Sequence, residues 1–365
     1  MKKVAFWIPN LLAGGAEKVL IDLLKLLPDN YYNITVILLY KKGIYVDNIP
    51  KWIKIKYVFG NINNKFICKF IDEILVKYFY KFIYRYTIKE KYDIEISFLE
   101  GPTTKIVSES KSKKIAWIHT DMNKLRWSSR FYKNEKEEVN IYSKYDKLIF
   151  VSKNSEESFF ERFKINVSSD VIYNPIIIEE IEEKANMENI KYDELSIVAL
   201  GRLMKVKGFD RLIKAHSKLK DTFKHKLIII GDGPEKERLM NLCAELNIED
   251  SVEFKGFKKN PCPYVKAGDL YVCSSFTEGY PLSMLEAIIL EKPIISTDIT
   301  GPREILEGGK YGILCENSQS GIEKALYEVL SSNNLIESLK LKSMHKKKIL
   351  KKENNIKKIE EILNE

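Results

Sequence analysis

The chain has 365 residues, 45% of them hydrophobic, which is enough to bury two cores and predicts two domains. Its five cysteines are scattered and include no C-x-x-C or Cys/His cluster, which argues against a disulfide scaffold or a zinc module and predicts reduced thiols in the cytoplasm. The net charge of +9 lies in residues 1–174, where 30 Lys and Arg oppose 20 Asp and Glu, and this basic half predicts an anionic partner: nucleic acid, a phosphorylated substrate or an acidic membrane surface.

Short apolar runs alternate with helical patterns along the chain, which predicts parallel sheets built from βαβ units. The predicted strands are 3–8, 34–40, 53–58, 93–98, 114–119 and 147–152 in the first half and 196–201, 226–231, 252–255, 270–273, 293–297 and 312–315 in the second. The first apolar run stops at Pro9 and is too short for a signal peptide, and none reaches the ~20 residues that span a bilayer. We therefore expect a soluble or peripheral protein.

The turn after the first strand contains Gly14 and Gly15 and leads into a helical pattern at 19–27. Glycines at the carboxyl end of a strand let the backbone approach a ligand, and the helix N-terminus that follows attracts negative charge. Many βα turns carry two glycines, so this motif by itself predicts little.

Residues 65–89 place basic and aromatic side chains on two neighbouring helical ladders with four-residue spacing. The basic ladder contains Lys69, Lys77, Lys81 and Arg85, and the aromatic ladder contains Phe66, Phe70, Ile74, Tyr78, Phe82 and Tyr86. Like charges at this spacing repel unless an anionic surface faces them, so one interpretation is binding to acidic lipid. The other is that the aromatic ladder packs on the sheet and the lysines are solvated.

A strand that ends at His119 places this histidine at the carboxyl edge of the first sheet, where it could donate to a sugar hydroxyl or a phosphate. A purely structural histidine is an equal alternative. Farther along, Asn174-Pro175 forces an extended bend, and the acidic stretch 179–194 that follows predicts a linker. The segment from about residue 335 to the end predicts a Lys-rich helix.

The second half opens with a strand followed by Gly201, Arg202 and, in the next loop, Lys207. A guanidinium fork and a lysine point charge at one sheet edge suit a diphosphate, although two surface cations are a common alternative. The Gly231-Asp232-Gly233-Pro234 segment does not complete the dinucleotide fingerprint G-x-G-x-x-G, because Lys236 stands where the third glycine belongs.

A Gly/Pro turn separates Glu278 from Glu286 and opens a helix, with Pro281 predicted as the first helical residue. The free N–H groups of such a helix start attract an anion, and the two carboxylates flank them. Standing alone, the segment would also suit an ordinary amphipathic helix start.

In order and spacing, these motifs resemble those of the retaining glycosyltransferases of family four. The resemblance covers nearly the whole chain and is most specific from Ser196 to Leu306. It implies an α/β, GT-B architecture of two Rossmann-like domains that face each other across a cleft, with a C-terminal helix crossing back. We expect residues 1–174 to bind the acceptor, 175–345 to bind the nucleotide sugar, and 346–365 to form the returning helix.

The resemblance also implies roles for individual residues. Arg202 and Lys207 would hold the donor diphosphate and stabilise the leaving nucleotide, while His119 and Glu278 would contact the donor sugar. Glu286 would bind the ribose hydroxyls. The remaining donor-binding residues would be Gly15, which approaches the phosphate from the first domain, the Gly256, Phe257 and Lys258 turn beside the base, and the backbone of Gly279, Tyr280, Pro281, Leu282 and Ser283.

The implied reaction is transfer of a hexose or N-acetylhexosamine, with retention of configuration, from a nucleotide sugar, with UDP favoured on family grounds. Arg202, Lys207 and a helix N-terminus can stabilise the leaving diphosphate, and the sequence has no D-x-D pair, so we expect neither a metal nor a cofactor. Whether Glu278 is a nucleophile or a binding residue stays open.

The basic first half fits an acceptor glycan linked to a polyprenyl diphosphate, at the inner face of the plasma membrane, for capsule or a similar surface polysaccharide. The sequence carries no nucleic-acid-binding motif. Two alternatives remain: a nucleotide-sugar 2-epimerase on the same fold, and a catalytically silent subunit that binds carbohydrate or membrane.

Overall fold

The computed structural model describes residues 1–12, 14–62, 64–352 and 355–365. The chain divides into two compact units, the first comprising Met1–Ile176 with Asn354–Glu365 and the second Ile177–Glu353. Among the described residues, the first unit holds a sheet of seven strands and the second a sheet of six, and all strand pairs are parallel. The predicted α/β class with two Rossmann-like domains is confirmed.

The strands of the first sheet pair in the order β3-β2-β1-β4-β5-β6-β7, and those of the second in the order β10-β9-β8-β11-β12-β13. Their bounds are β1 Lys2–Ile8, β2 Tyr32–Leu38, β3 Lys54–Tyr57, β4 Ile94–Ser97, β5 Lys113–Ile118, β6 Lys147–Phe150, β7 Ser169–Val171, β8 Ser196–Leu200, β9 Lys226–Ile230, β10 Val252–Gly256, β11 Leu270–Cys273, β12 Ile294–Thr297 and β13 Ile313–Cys315. Every predicted strand is present; β7 was missed because its Ser-Asp-Val sequence has no apolar pattern.

Helices connect these strands. Their bounds are α1 Gly15–Leu26, α2 Lys65–Phe70, α3 Lys77–Thr87, α4 Pro102–Val107, α5 Glu135–Tyr142, α6 Lys153–Phe163, α7 Ile178–Ala185, α8 Phe209–Leu219, α9 Lys236–Glu245, α10 Cys262–Ala267, α11 Leu282–Ile289, α12 Thr300–Ile305, α13 Gln319–Leu330, α14 Asn333–Lys352 and α15 Asn355–Asn364. A π-helical segment, Ile71–Val76, joins α2 to α3.

In each sheet the order of the strands reverses at one point, between β1 and β4 in the first unit and between β8 and β11 in the second. At such a switch point the two flanking connections leave in opposite directions, which opens a crevice at the carboxyl ends of the strands. Parallel sheets bind their ligands in this crevice. The two switch points therefore locate the candidate sites.

The last helix, α15, belongs to the first unit, whereas residues 346–352, predicted as part of the returning helix, end α14 in the second unit. Lys2 Nζ donates to the carbonyl of Leu363 at 3.0 Å, and Lys113 Nζ donates to that of Ile362 at 3.3 Å. These lysines stand at the amino ends of β1 and β5, so cations meet the negative end of the helix dipole.

The acidic stretch 179–194 is more than the linker that its composition predicted. It includes most of α7, which buries Ile178, Ile181 and Ala185, while Lys347 on α14 pairs with Glu182 at 2.7 Å. The acidic residues occupy the outer face of an amphipathic helix whose apolar face packs in the second unit. Charge content obscured this helix because the apolar positions are few.

Candidate functional site: the carboxyl edges of the two sheets

The predicted donor-binding segments of the second unit lie at one sheet edge. Arg202 follows β8, the Gly231 turn follows β9, the Gly256 turn follows β10, and the Glu278 loop follows β11. These four strands are neighbours in the sheet, and the switch point lies between β8 and β11. Arg202 and Glu278 therefore flank the crevice of this unit.

Backbone hydrogen bonds fix the loop that carries Arg202. The amide of Gly201 donates to Ile230 at 3.0 Å and that of Leu203 to Asp232 at 2.9 Å. Gly231 has φ +142°, and a Cβ there would lie 1.9 Å from the carbonyl oxygen of Gly201. The Gly-Asp-Gly-Pro motif thus supports the Arg202 loop by close backbone packing, and the Arg202 side chain is exposed at the edge.

Lys207 and Glu278 form an ion pair with Nζ and Oε1 2.6 Å apart, and Ser275 Oγ donates to the same Oε1 at 2.6 Å. Burial lowers the pKa of Lys207, but the charge of Glu278 and the hydrogen bond to it outweigh burial, so the net pKa is raised. Lys207 is therefore a cation at neutral pH. Both of these bonds to Glu278 end on Oε1.

Arg211, on α8, is a residue that the sequence analysis missed. Its guanidinium is buried and donates to the carbonyl of Ser274 from Nε at 2.8 Å and from Nη2 at 2.6 Å, and to that of Ser275 at 2.6 Å. The Phe276 ring covers it at 3.8 Å. Arg211 thus ties α8, which begins just after Lys207, to the loop that leads to Glu278. The signal that could have revealed this residue is an arginine between the apolar residues Phe209 and Leu212 on a largely buried helix.

Helix α11 begins at Leu282, so Pro281 is its N-cap and not its first helical residue as predicted. No side chain caps this end, which leaves the first-turn N–H groups directed out of the helix. Ser283 Oγ accepts from Tyr271 at 2.8 Å, and the Glu286 side chain is buried. The helix therefore presents a positive dipole end at the switch point.

The turn formed by Gly256, Phe257 and Lys258 lies at the edge strand of this sheet. Phe257 is exposed, and Lys258 Nζ lies 4.9 Å from the centre of the Tyr264 ring. The structure places this turn on the same edge as Arg202, with β9 between their strands.

In the first unit, Gly15 and His119 follow β1 and β5, on the two sides of β4. Gly15 is the first residue of α1 and is exposed, and a Cβ there would meet no atom within 4 Å, so the space above it is open. Ala13 of this turn lies outside the described residues. Helix α1 has no side-chain cap, so its first-turn amides are also directed at this edge.

His119 is half-buried, its Nε2 atom is shielded from solvent, and its ring is neutral. Burial lowers its pKa to about 3, and its hydrogen bond to the Phe98 backbone only partly opposes that shift. Among the described residues its Nε2 has no hydrogen-bond partner. A buried unpaired ring nitrogen is unusual in a purely structural histidine, because an unmet hydrogen bond is costly.

The basic and aromatic ladders occupy α2, the π-helical segment and α3. Every member of the aromatic ladder is exposed: Phe66 85%, Phe70 54%, Ile74 40%, Tyr78 51%, Phe82 69% and Tyr86 69%. Other side chains of this segment face the core, among them Ile71, Val76, Tyr80 and Ile83. The interpretation that the aromatic ladder packs on the sheet was therefore wrong.

The segment is not one continuous helix. The π-helical turn and a kink at Phe79, with φ −120° and ψ 18°, interrupt it. Lys69 lies 4.0 Å from Glu73 and Lys81 lies 3.9 Å from Glu109, while Arg85 is exposed. Lys77 is partly buried, and its carbonyl accepts from the buried Lys105 at 2.8 Å. The cations of this ladder are thus spread along an apolar surface.

Within residues 1–12, 14–62, 64–352 and 355–365, no helix has the length and apolar composition to cross a bilayer. In the same part of the chain, no group of three or more His, Cys, Asp or Glu side chains is placed to hold a metal ion.

Comparisons with known proteins find a family match within the second unit. Residues 180–352 match the family described as glycosyl transferases group 1. A relative from Campylobacter jejuni, N-acetylgalactosamine-N,N'-diacetylbacillosaminyl-diphospho-undecaprenol 4-alpha-N-acetylgalactosaminyltransferase, is 27% identical over 96% of each chain.

Solved structures share the fold. HepE of Anabaena, crystallised with UDP and glucose, is 18% identical over 100% of both chains with a TM-score of 0.75. Sucrose-phosphate synthase of Thermosynechococcus elongatus is 16% identical over 96% of this chain and 95% of its own, with a TM-score of 0.78.

Proposed function

We propose that this glycosyltransferase, whose residues 180–352 match the glycosyl transferases group 1, binds a UDP-linked hexose or N-acetylhexosamine in its second unit. The observation that carries the proposal is the edge between β8 and β11, where Arg202, Lys207 and the start of α11 gather positive charge. A diphosphate suits such an edge because guanidinium, ammonium and helix dipole all favour an anion.

In this arrangement each group has a distinct task. Arg202 is exposed and meets the diphosphate first, while Lys207 is held in place by Glu278. The Glu278 Oε2 atom accepts a hydrogen bond from a hydroxyl of the donor sugar, because the hydrogen bonds from Ser275 and Lys207 both go to Oε1. Glu286 binds the ribose, and the Gly256 turn lies beside the base. UDP as the nucleotide is supported by the ligand of the HepE structure.

We propose transfer with retention and without a metal. The glycosyl–phosphate bond breaks, and the electron pair passes to the diphosphate, where Arg202 and Lys207 stabilise the added charge. The acceptor hydroxyl attacks from the face that the diphosphate leaves, and a phosphate oxygen takes its proton. Glu278 then serves as a binding residue, because its pairing with Lys207 at 2.6 Å makes it a weaker nucleophile.

The acceptor in this proposal is a surface glycan, such as a capsule precursor, linked to a polyprenyl diphosphate, and the enzyme works on the inner face of the plasma membrane. The name of the Campylobacter jejuni relative specifies an undecaprenol-linked acceptor. The exposed aromatic ladder, interspersed with Lys69, Lys81 and Arg85, supports the membrane contact. Aromatic rings suit the headgroup region, and lysine and arginine attract acidic lipid.

Thermal shift with a panel of nucleotide sugars tests the donor. A ligand at 100 times its Kd stabilises the folded chain by about 2.7 kcal/mol. We expect UDP sugars to raise the Tm, with and without EDTA, and GDP sugars to leave it unchanged. A transfer assay with the stabilising sugar then follows product anomers by NMR. An inverted product, or a shift that needs a divalent ion, would overturn these details of the proposal.

Vesicle flotation tests the membrane contact. The full chain should float with vesicles containing acidic lipid, and the double variant Phe66→Ala, Phe82→Ala should float much less, even at low salt, because apolar insertion is lost. The variant Lys69→Ala, Arg85→Ala should lose binding mainly to acidic vesicles at low salt, because neutral lipid and high salt already remove the electrostatic attraction. Tyr31→Ala, which removes another exposed aromatic of the first unit, is the matched control. Equal flotation of all variants would contradict the assignment.

A further inference from the structure

A buried carboxylate joins three parts of the first unit at the carboxyl edge of its sheet. Glu100, just after β4, is 0% exposed. Its Oε1 accepts from Thr120 Oγ1 at 2.7 Å and from Trp127 Nε1 at 3.3 Å, and its Oε2 accepts from the His119 amide at 3.0 Å. Three donors compensate the burial of this charge and leave it little freedom. Glu100 therefore fixes the indole of Trp127 relative to the backbone of His119.

Two further contacts fix the Trp127 ring. Phe131 lies edge-on to it at 6.1 Å between ring centres, and a Cβ at Gly101 would lie 3.2 Å from Trp127 Cη2. In spite of these contacts the residue is 36% exposed. The ring is thus held in one orientation at the surface, beside the switch point between β1 and β4.

Single exposed aromatic residues are common and need no explanation. This one differs because a fully buried carboxylate orients it, and because the unpaired Nε2 of His119 lies in the same edge cluster. An oriented aromatic surface binds a partner with little loss of side-chain entropy. The face of the Trp127 ring packs well against the C–H groups of another ring, and nearby hydrogen-bond donors can bind the hydroxyl groups of that ring.

We propose that Trp127 is a platform on which a pyranose ring of the acceptor glycan stacks, and that Glu100 is the positioning residue that orients it. The inference rests on the proposed function, to which it adds a place and a chemistry for the acceptor. A sugar ring fits better than the uridine of the donor, because the phosphate-binding cations Arg202 and Lys207 belong to the second unit. The exposed Arg126 and Arg130 supply donors to hydroxyls around the platform.

Binding of octyl glycosides to the full chain tests the platform. The probes are the octyl glycosides of N-acetylgalactosamine, N-acetylglucosamine, glucose and galactose, with octyl glycerol as the probe without a sugar ring. Trp127→Ala should weaken binding of the preferred glycoside by about fivefold to tenfold, whereas Trp127→Phe, which keeps a ring, should weaken it by about twofold. Tyr31→Ala should leave it unchanged.

Three results would overturn the inference: no glycoside binds the wild-type chain, Trp127→Ala binds as tightly as wild type, or octyl glycerol shows the same dependence on Trp127.

The positioning role of Glu100 has its own readout. Glu100→Gln should increase acrylamide quenching of the Trp127 fluorescence, obtained by subtracting the spectrum of the Trp127→Phe chain, while circular dichroism stays the same. Unchanged quenching would remove that role.

The thermal shift with UDP separates this inference from the donor assignment. Trp127→Ala should keep the full shift with UDP, since the platform takes no part in nucleotide binding. If that variant loses the shift, the ring binds the nucleotide and the platform is not an acceptor site. If the wild-type chain shows no shift while glycoside binding depends on Trp127, the donor proposal fails and the platform stands.

Discussion

The carboxyl edges of the two sheets share a topology and differ in chemistry. The edge of the second unit is ionic: Lys207 pairs with Glu278, Arg211 holds the adjoining loop, and Arg202 is exposed. The edge of the first unit carries a buried carboxylate, Glu100, but its donors there are an amide, a hydroxyl and an indole. The pKa of His119, lowered by burial to about 3, leaves that ring neutral.

The contrast shows how one scaffold supports two kinds of binding. A parallel sheet with a switch point provides a crevice, and the residues that follow each strand decide which ligand enters it. Fixed cations beside a helix start favour a phosphate, whereas an oriented aromatic ring favours the face of a sugar. Variants that alter one edge should therefore change one binding step and spare the other.

Arg202→Ala should produce the largest effect. It removes an exposed cation from the donor edge, and losing one group that stabilises transition-state charge costs about 10²–10³-fold in turnover. The Tm should stay within error, because the side chain is exposed. Transfer assays and thermal melts measure both, with Lys205→Ala as the neighbouring cation control. Full activity in Arg202→Ala would show that the donor does not bind at this edge.

Arg211→Met should destabilise the second unit by about 3 kcal/mol, because the buried carbonyl of Ser274 loses its donors. The carbonyl of Ser275 keeps a partner in Thr297 Oγ1 at 2.6 Å. Arg238→Met, which removes a half-exposed arginine of the same unit, should change stability by less than about 0.5 kcal/mol. Urea unfolding compares the two. Equal stability of both variants would contradict the assigned role of Arg211.

Acid should destabilise each unit through a different histidine. Burial lowers the pKa of His119, and burial followed by the charge of His225 lowers that of His216, in both cases to about 3. In an unfolded chain a histidine titrates near 6.5. Above that pH the ring is neutral in both states; below it, only the unfolded state takes up the proton. Each ring therefore costs about 1.4 kcal/mol of stability per pH unit as the pH falls from 6.5 toward 3.

Urea unfolding between pH 7.5 and 5.5 measures these slopes, in a range above most carboxylate titrations. His119→Asn should flatten the slope of the first unit's transition, and His216→Asn that of the second. His216 donates to or accepts from His225 at 2.9 Å and Ser251 at 2.9 Å, so the variant will also be less stable at every pH. The test is therefore the change of the unfolding free energy with pH and not its absolute value. If a substitution leaves this slope unchanged, that histidine is not the source of the acid sensitivity.

The Lys207–Glu278 pair should show the smallest effect on stability. A double-mutant cycle of Lys207→Met and Glu278→Gln should give a coupling energy of about 1 kcal/mol, because the two side chains are about one-quarter and one-sixth exposed and water screens them in part. Saturating UDP should reduce the coupling if the diphosphate competes with Glu278 for Lys207. A coupling that UDP leaves unchanged would argue against contact between Lys207 and the diphosphate.

Much of the fold was predictable because it depends on local patterns. Apolar runs such as those of β8 and β9 specify buried parallel strands wherever they occur, and the motifs that follow them can be placed at the carboxyl edge from sequence alone. Arg202, Lys207 and Glu278 were placed after their strands in this way. The exceptions were β7, which has no apolar pattern, and α7, whose acidic residues concealed its apolar face.

The sequence by itself determined every strand except β7, where those strands leave their sheets, and which charged residues follow them. Tertiary structure decided which of those groups are paired, buried or exposed. Arg211 and Ser274 are 63 residues apart, and Glu100 and Trp127 are 27 apart, so no local pattern announces either contact. The exposure of the aromatic ladder was settled in the same way, because a helical period shows that one face is apolar but not whether the rest of the chain covers it.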